Sequence, residues 1–204
     1  QLDQHTWTIQ DAAQFDFSSV DIALFSAGKQ AAKYYAPRAA EQGAVVIDNS
    51  SAFRMDEDVP LVVPEINANE IECYQQRRII ANPNCSTIQM LVALFPIYKA
   101  AGIRRIDVTT YQAVSAAGQA AVNELEEQSR ALLDNGALVC RHFPTQMAFN
   151  VLPQIDYFHE NGFTNEEMKM VHETHKIFRD ESITINPTAV RVPVYNGHSE
   201  AVHL

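Results

Sequence analysis

Cysteine, glycine and positive charge are all scarce in this chain, and each scarcity argues against a class of protein. Among 204 residues there are three cysteines, Cys73, Cys85 and Cys140, far apart and without a C-x-x-C pair. An odd, scattered set of this kind argues against a disulfide framework or a cysteine-based zinc site and leaves room for a single working thiol. Seven glycines occur, none clustered, so there is no glycine-rich loop of the kind that cradles nucleotide phosphates. Fifteen Lys+Arg against 25 Asp+Glu give a net charge of −10, which repels nucleic-acid backbones and anionic lipid surfaces; neither is an expected partner. The longest largely apolar run, Ile88 to Tyr98, is about half of the roughly 20 residues a membrane span needs. The opening Gln1-Leu2-Asp3-Gln4 is not the basic, apolar start of a signal peptide, so a cytoplasmic location is expected. With 47% hydrophobic and 20% charged residues, the composition is that of a folded chain with one large domain or two small ones.

The first part alternates strand and helix signals with short joins, the pattern of parallel βαβ units. Val20–Ser26 reads as a buried strand, Gly28 as a turn, Lys29 to Gln42 as an alanine-rich helix stopped by Gly43, and Ala44–Asp48 as the next strand. Leu61–Val63 and Ile79–Ala81 read as further short strands, each running into a proline, Pro64 or Pro83. After Pro83-Asn84, the stretch from Cys85 to Ala101 has the length and apolar repeat of a core helix ended by Gly102. The second half has an α+β character. A strand-like run covers Ile103 to Val114, a charged helix about Gln119 to Asn135, and later strands Ile183–Ile185 and Ala189–Val194. Thr164-Asn165-Glu166-Glu167 is a capping-box signature opening a helix to about Phe178. The expected fold is therefore α/β: residues 1–84 a partial Rossmann-like dinucleotide-binding domain, and residues 85–204 an α+β catalytic and dimerisation domain. The chain opens part-way through an α/β pattern and stops at His203-Leu204 with no closing element, as a fragment would.

Several residues could carry chemistry. In Asn82-Pro83-Asn84-Cys85-Ser86-Thr87 a cysteine stands at a predicted helix N-terminus, where the helix dipole favours a thiolate; the alternative is a small buried hydrophobe. Cys73 and Cys140 lack this setting. Tyr111-Gln112-Ala113-Val114-Ser115-Ala116-Ala117-Gly118 joins a strand to a helix through small residues, so backbone can approach a ligand there. Glu173 and Lys176 share a helix face, either as a solvated pair or as two contacts to one zwitterionic ligand. His172-Glu173-Thr174-His175 lacks the H-E-x-x-H spacing of a zinc helix, and no metal is expected. Arg191 lies on a strand that leads to a turn bearing His198; an arginine can grip a carboxylate and a histidine can exchange protons near neutral pH. Arg54 could bind an anion or face water.

In this order, the motifs from about Val20 onward resemble those of the aspartate-semialdehyde dehydrogenases. Asn82-Pro83-Asn84-Cys85-Ser86-Thr87 is similar to that family's nucleophile motif, Tyr111-Gln112 to its substrate-orienting glutamine, and Arg191 with His198, seven apart, to its substrate arginine and acid/base histidine. The resemblance implies that Cys85, His198 and Gln112 are catalytic and that Glu173, Arg191 and Asn84 bind substrate. It implies also that Arg54 and Lys176 bind phosphate, and that Ser26, Ala27, Gly28, Ser115, Ala116 and Gly118 contact an NADP cofactor. The family's opening Gly-x-x-Gly-x-x-Gly loop and its terminal helix have no counterpart here, and Ala116-Ala117 stands where a glycine is common.

The implied activity is NADP-dependent reductive dephosphorylation of L-aspartyl 4-phosphate to L-aspartate 4-semialdehyde, in the biosynthesis of lysine, threonine, methionine, isoleucine and diaminopimelate. Cys85 forms a thioester, and His198 deprotonates the thiol and later protonates the developing oxygen. The implied assembly is a homodimer or homotetramer. Two alternatives stay open: another thiol-dependent acyl-phosphate reductase, such as the N-acetyl-glutamyl-phosphate or glyceraldehyde-phosphate enzymes, and an inactive fragment that serves only for folding or association.

Overall fold

A computed structural model describes Thr6 and residues 8–204. The chain divides into two compact units, Gln1–Asn84 and Cys85–Leu204. No helix among the described residues is long and apolar enough to cross a membrane.

The first unit is built around a three-stranded parallel sheet. Strands β1 (Ile22–Phe25), β2 (Val45–Asp48) and β3 (Ile79–Ala81) lie in the order β1-β2-β3. Ile22 pairs with Val45 and Val46 with Ile79. Helix α1 (Lys29–Glu41) crosses between the first two strands and buries Ala32, Ala36, Ala39 and Ala40. Alanine's single methyl lets the helix axis sit close over Val46, Ile79 and Ala81, which are fully buried. The helix starts at Gly28, whose φ of 85° and ψ of 168° fall where a residue with a Cβ is strained. The strand expected at Leu61–Val63 is reduced to one bridge, Leu61 to Ala81. Its backbone is claimed elsewhere: the Asn67 side chain accepts from Val63 N–H and donates to Leu61 O, and Pro64 opens helix α2 (Pro64–Asn67). A 3₁₀ stretch, Ala68–Gln76, then leads to β3.

The second unit packs helices on a mixed sheet. Helix α3 (Cys85–Ala101) is followed by β4 (Arg105–Gln112), a 3₁₀ turn (Val114–Ala117), α4 (Gln119–Leu133), α5 (Asn165–Phe178), β5 (Thr184–Arg191) and β6 (Ser199–His203). The strand order is β5-β4-β6, parallel on the β5 side and antiparallel on the β6 side. β4 alternates cleanly, with Ile106, Val108, Thr110 and Gln112 buried. Helices α3 and α5 pack on each other, α5 on β5 and α3 on β6. Tyr98 of α3 stacks on Phe178 of α5 with ring centroids 4.4 Å apart. α5 opens with the capping box read from the sequence: Thr164 accepts from Glu167 N–H, and Glu167 accepts from Thr164 N–H.

Two departures from the sequence pattern concern β5 and the stretch before α5. The two short strands expected around Pro187 are one continuous strand, in register with β4 from Arg105–Thr184 to Gln112–Arg191. Thr184 N–H points to β4, donating to Arg104 O, so by strand alternation Pro187 has its missing N–H on the outer side, where the ladder needs none. On that same side Ala189 N–H donates to Glu167 Oε1 and Arg191 N–H to Leu152 O. The stretch 134–164 carries no regular element, yet Phe143, Met147, Ala148 and Leu152 are buried against Ala121 and Leu125 of α4. Two α4 side chains one turn apart hold it. Glu124 accepts from the N–H groups of Arg141, His142 and Phe143. Gln128 accepts from those of Met147 and Ala148 and donates to Val139 O. Burial pushes the Glu124 carboxyl up, but the three backbone donors outweigh it and hold the group below its ordinary range.

Candidate active site

The second unit gathers a connected polar cluster at the C-terminal end of β4. Cys85 is the first residue of α3, and its thiol is exposed; the next two residues, Ser86 and Thr87, are buried. The N-terminus of a 17-residue helix places partial positive charge at that thiol and favours its ionised form.

Gln112, the last residue of β4, is buried. Its Nε2 donates to Ser86 Oγ at 3.1 Å, Thr110 Oγ1 at 3.3 Å and Glu166 Oε1 at 3.3 Å. Its Oε1 accepts from Arg191 Nη1 at 3.4 Å, and the same Nη1 donates to Ala113 O at 2.9 Å. The other side of that residue is also used: Ala113 N–H donates to His198 Nδ1 at 3.0 Å. One extended residue thus fixes both the arginine and the histidine.

The electrostatics follow from burial and from three neighbouring charges. Burial lowers the Arg191 guanidinium's hold on its proton, while Glu166 and Cys85 act in the opposite sense. Burial, then the Arg191 charge, hold His198 below the ordinary histidine value against a weaker pull from Glu166, so the ring is neutral at neutral pH. Lys169 donates to Glu166 at 2.9 Å and Asp156 at 3.3 Å. Burial opposes its charge, but the two carboxylates prevail and raise its pKa. Glu200, on β6 opposite Thr110, is half-buried with Oε1 unpartnered, and burial pushes its carboxyl up to about 7 despite a hydrogen bond from Gln89.

Of the residues singled out from the sequence, the cluster brings together Gln112, Arg191 and His198, with Cys85 within electrostatic reach of Arg191. Glu173, which is buried, and Lys176 lie farther along α5, about two turns beyond the point where that helix meets the cluster. The Glu-x-x-Lys pair at the meeting point is Glu166 and Lys169; the sequence pattern had shown Glu166 only as part of the cap and had not singled out Lys169. The available signal was the same spacing one heptad earlier.

Ser115 N–H donates to Tyr195 O, and Gly118, with φ of 96°, starts α4 beside the exposed Ala116. Within the first unit, Asn84 is buried, and Arg54 is buried with its guanidinium donating to Asn82 O at 2.9 Å and Asn49 O at 3.2 Å. Ser26, Ala27 and Gly28 are exposed at the C-terminal end of β1, and the α1 N-terminus has no side-chain cap. An uncapped helix start beyond a parallel strand suits a nucleotide's oxygens, so these residues fit one edge of a dinucleotide site. Among the described residues no group of three or more His, Cys, Asp or Glu is arranged to hold a metal ion.

The architecture is a parallel βαβ unit of the dinucleotide-binding kind followed by a mixed-sheet domain with a thiol at a helix start, and comparison with known proteins makes the class specific. Residues 2–74 match the model for the semialdehyde dehydrogenase NAD binding domain and residues 94–204 that for the semialdehyde dehydrogenase dimerisation domain. The chain belongs to the semialdehyde dehydrogenase family. It is similar to aspartate-semialdehyde dehydrogenase 2 of Vibrio cholerae, 59% identical over 199 residues that cover 98% of this chain and 59% of that relative. It is similar also to the aspartate-semialdehyde dehydrogenase of Bacillus subtilis, 50% identical over 97% of this chain and 58% of that relative. The crystal structure of aspartate semialdehyde dehydrogenase II complexed with ASA from Vibrio cholerae matches with a TM-score of 0.94 at 60% identity, over 95% of this chain and 57% of that one. The chain thus spans a little under three fifths of the length of these relatives.

Proposed function

We propose that the protein containing this chain carries out NADP-dependent reductive dephosphorylation of L-aspartyl 4-phosphate to L-aspartate 4-semialdehyde, with Cys85 as the nucleophile. One observation carries the reading: a helix-start thiol shares a unit with buried, hydrogen-bonded groups of both signs, Gln112, Glu166 and Arg191. An aspartyl group presents a carboxylate, an ammonium and an acyl carbon, and the cluster has a partner for each. The Arg191 fork suits the carboxylate and the Glu166 carboxylate the ammonium, so the two ends fix chirality as well as position. Gln112, anchored by four partners, orients the acyl group toward Cys85. We infer that Glu166 and Lys169 take the roles that resemblance gave to Glu173 and Lys176, Lys169 adding positive charge for the departing phosphate.

Ser26, Ala27 and Gly28 would hold part of the NADP by backbone contacts; cofactor contacts at Ser115, Ala116 and Gly118 are inferred from the family resemblance. The cofactor, when bound, supplies hydride to the acyl carbon. Arg54 spends guanidinium donors on the Asn82 and Asn49 carbonyls, and so shapes the loops after β2 and β3, whatever it adds toward phosphate. The working assembly is a homodimer or homotetramer in the cytoplasm. A related acyl-phosphate reductase acting on a substrate without a neighbouring ammonium would have no use for Glu166.

The test is phosphate-dependent reduction of NADP by L-aspartate semialdehyde, catalysed by the full-length protein. The expected result is turnover that falls at least about a thousandfold in Cys85→Ala. Near-normal turnover in that variant would end the proposal.

A further inference from the structure

Lys169 stands between two carboxylates that come from different parts of the second unit. Glu166 lies one turn back on α5, 2.9 Å away, and Asp156 lies in the stretch before the helix, 3.3 Å away. We propose that Asp156 is a positioning residue for the phosphate step: it anchors the Lys169 ammonium, so that this charge stays in place when the substrate's own ammonium takes up Glu166. This rests on the reading of Glu166 as the ammonium contact and Lys169 as the phosphate contact.

A conflict of charge makes the second anchor necessary. Glu166 Oε2 accepts from Lys169 and its Oε1 from Gln112, so a substrate ammonium arriving at Glu166 competes with Lys169 for one carboxylate. A lysine held by Glu166 alone would be loosened at the moment its charge is needed, and its four-carbon stem would regain its rotamers. Asp156 removes that conflict. An ammonium carries three N–H donors; with one kept on Asp156, the nitrogen stays where it is and the others can turn to phosphate oxygens.

Asp156 is itself held from several sides. Its φ is 71°, in the left-handed region that aspartate and asparagine tolerate better than most residues with a side chain. Its Oδ1 accepts from Tyr157 N–H at 3.0 Å, and its Oδ2 accepts from Asn165 Nδ2 at 2.6 Å as well as from Lys169. The surrounding segment is tied to the start of α5, where Asn165 N–H donates to Tyr157 O at 2.8 Å and Phe158 bridges to Thr164. Burial pushes the Asp156 carboxyl up, but the Asn165 amide, the Lys169 charge and the Tyr157 N–H outweigh it and hold the group ionised below its ordinary range. An ion pair between two mobile surface side chains contributes little. Here the carboxylate is fixed by its neighbours, and the lysine it meets is partly buried.

The experiment is steady-state kinetics of the full-length protein in the phosphate-dependent direction, with KM measured separately for phosphate, semialdehyde and NADP. Two variants remove the anchor without straining the backbone: Asp156→Asn, which keeps a residue at home in the left-handed region, and Asp156→Gly, which has no Cβ. Each is expected to raise KM for phosphate about tenfold and to move the other two KM values less than about twofold. Lys169→Met should raise the phosphate KM at least as much, and Asp156→Asn added to it should then change that KM less than about twofold, because no ammonium remains to be held. An unchanged phosphate KM in both Asp156 variants, an equal rise in all three KM values, or a full further rise of about tenfold in the Lys169→Met background would each overturn the proposal and leave Lys169 in its role. A Lys169→Met enzyme with an unchanged phosphate KM would instead remove the phosphate reading of Lys169, and this proposal with it.

Discussion

The two units offer their candidate residues in opposite ways. In the first, Ser26, Ala27 and Gly28 are exposed and would act through backbone, while a buried cation, Arg54, donates to carbonyls. In the second, Gln112, Glu166 and Arg191 are buried side chains that hold one another before any ligand arrives. A surface that grips a common cofactor tolerates loose, backbone-level recognition; a site that must align reacting atoms needs side chains fixed in advance. Substitutions should therefore cost far more in the second unit than in the first.

Arg191→Lys gives the sharpest test of that contrast. It keeps the charge but loses the fork and the bond to Ala113, and KM for the semialdehyde should rise about a hundredfold with a smaller loss in kcat; steady-state kinetics of the full-length enzyme decide it. Next, Glu166→Gln should raise the same KM about tenfold, whereas Glu173→Gln should act mainly on stability. The opposite pattern would return the ammonium contact to Glu173. Gln128→Leu strips partners from Met147 N–H, Ala148 N–H and Val139 O, and should cost about 3 kcal/mol. Amide exchange should show the loss at Met147 and Ala148 and spare the first unit.

A pH effect comes next. Folding raises the Glu200 carboxyl from 4.5 to about 7, so the folded state binds that proton more tightly than the unfolded chain. Stability from this group is complete below about pH 4.5 and declines as pH rises toward 7. Denaturation midpoints should fall across that window in the wild type and flatten in Glu200→Gln. The smallest effect belongs to Ser26→Ala, which removes only a long contact from Asn49 at 3.4 Å and should change KM for NADP less than about threefold. A large effect there would break the contrast between the units.

The sequence was informative wherever a local signal had no competitor. Pro83 and Gly102 bracket α3, and the cap at Thr164 opens α5, so both helices and the placing of Cys85 were legible. Two Glu-x-x-Lys pairs seven residues apart occupy one face of α5, and spacing alone cannot rank them. Which turn of the helix meets the end of β4 is a long-range fact, and it is the turn of Glu166 that lies beside Gln112. Pro187 split β5 in the sequence pattern because alternation does not show toward which neighbour an N–H points. The stretch 134–164 was silent for a similar reason: its order is set by Glu124 and Gln128, side chains that lie elsewhere in the chain.

The outer side of β5 has a bearing on how the protein survives at high concentration. An edge strand with a row of unused donors is a template on which other chains can add, the first step toward insoluble aggregates. Here position 187 offers no donor, that of Ala189 is taken by Glu167, and that of Arg191 is taken by Leu152 O. The carboxylate that caps α5 thereby also blunts the sheet, and Glu167→Ala would expose a sticky edge at the same stroke as it loosens the helix.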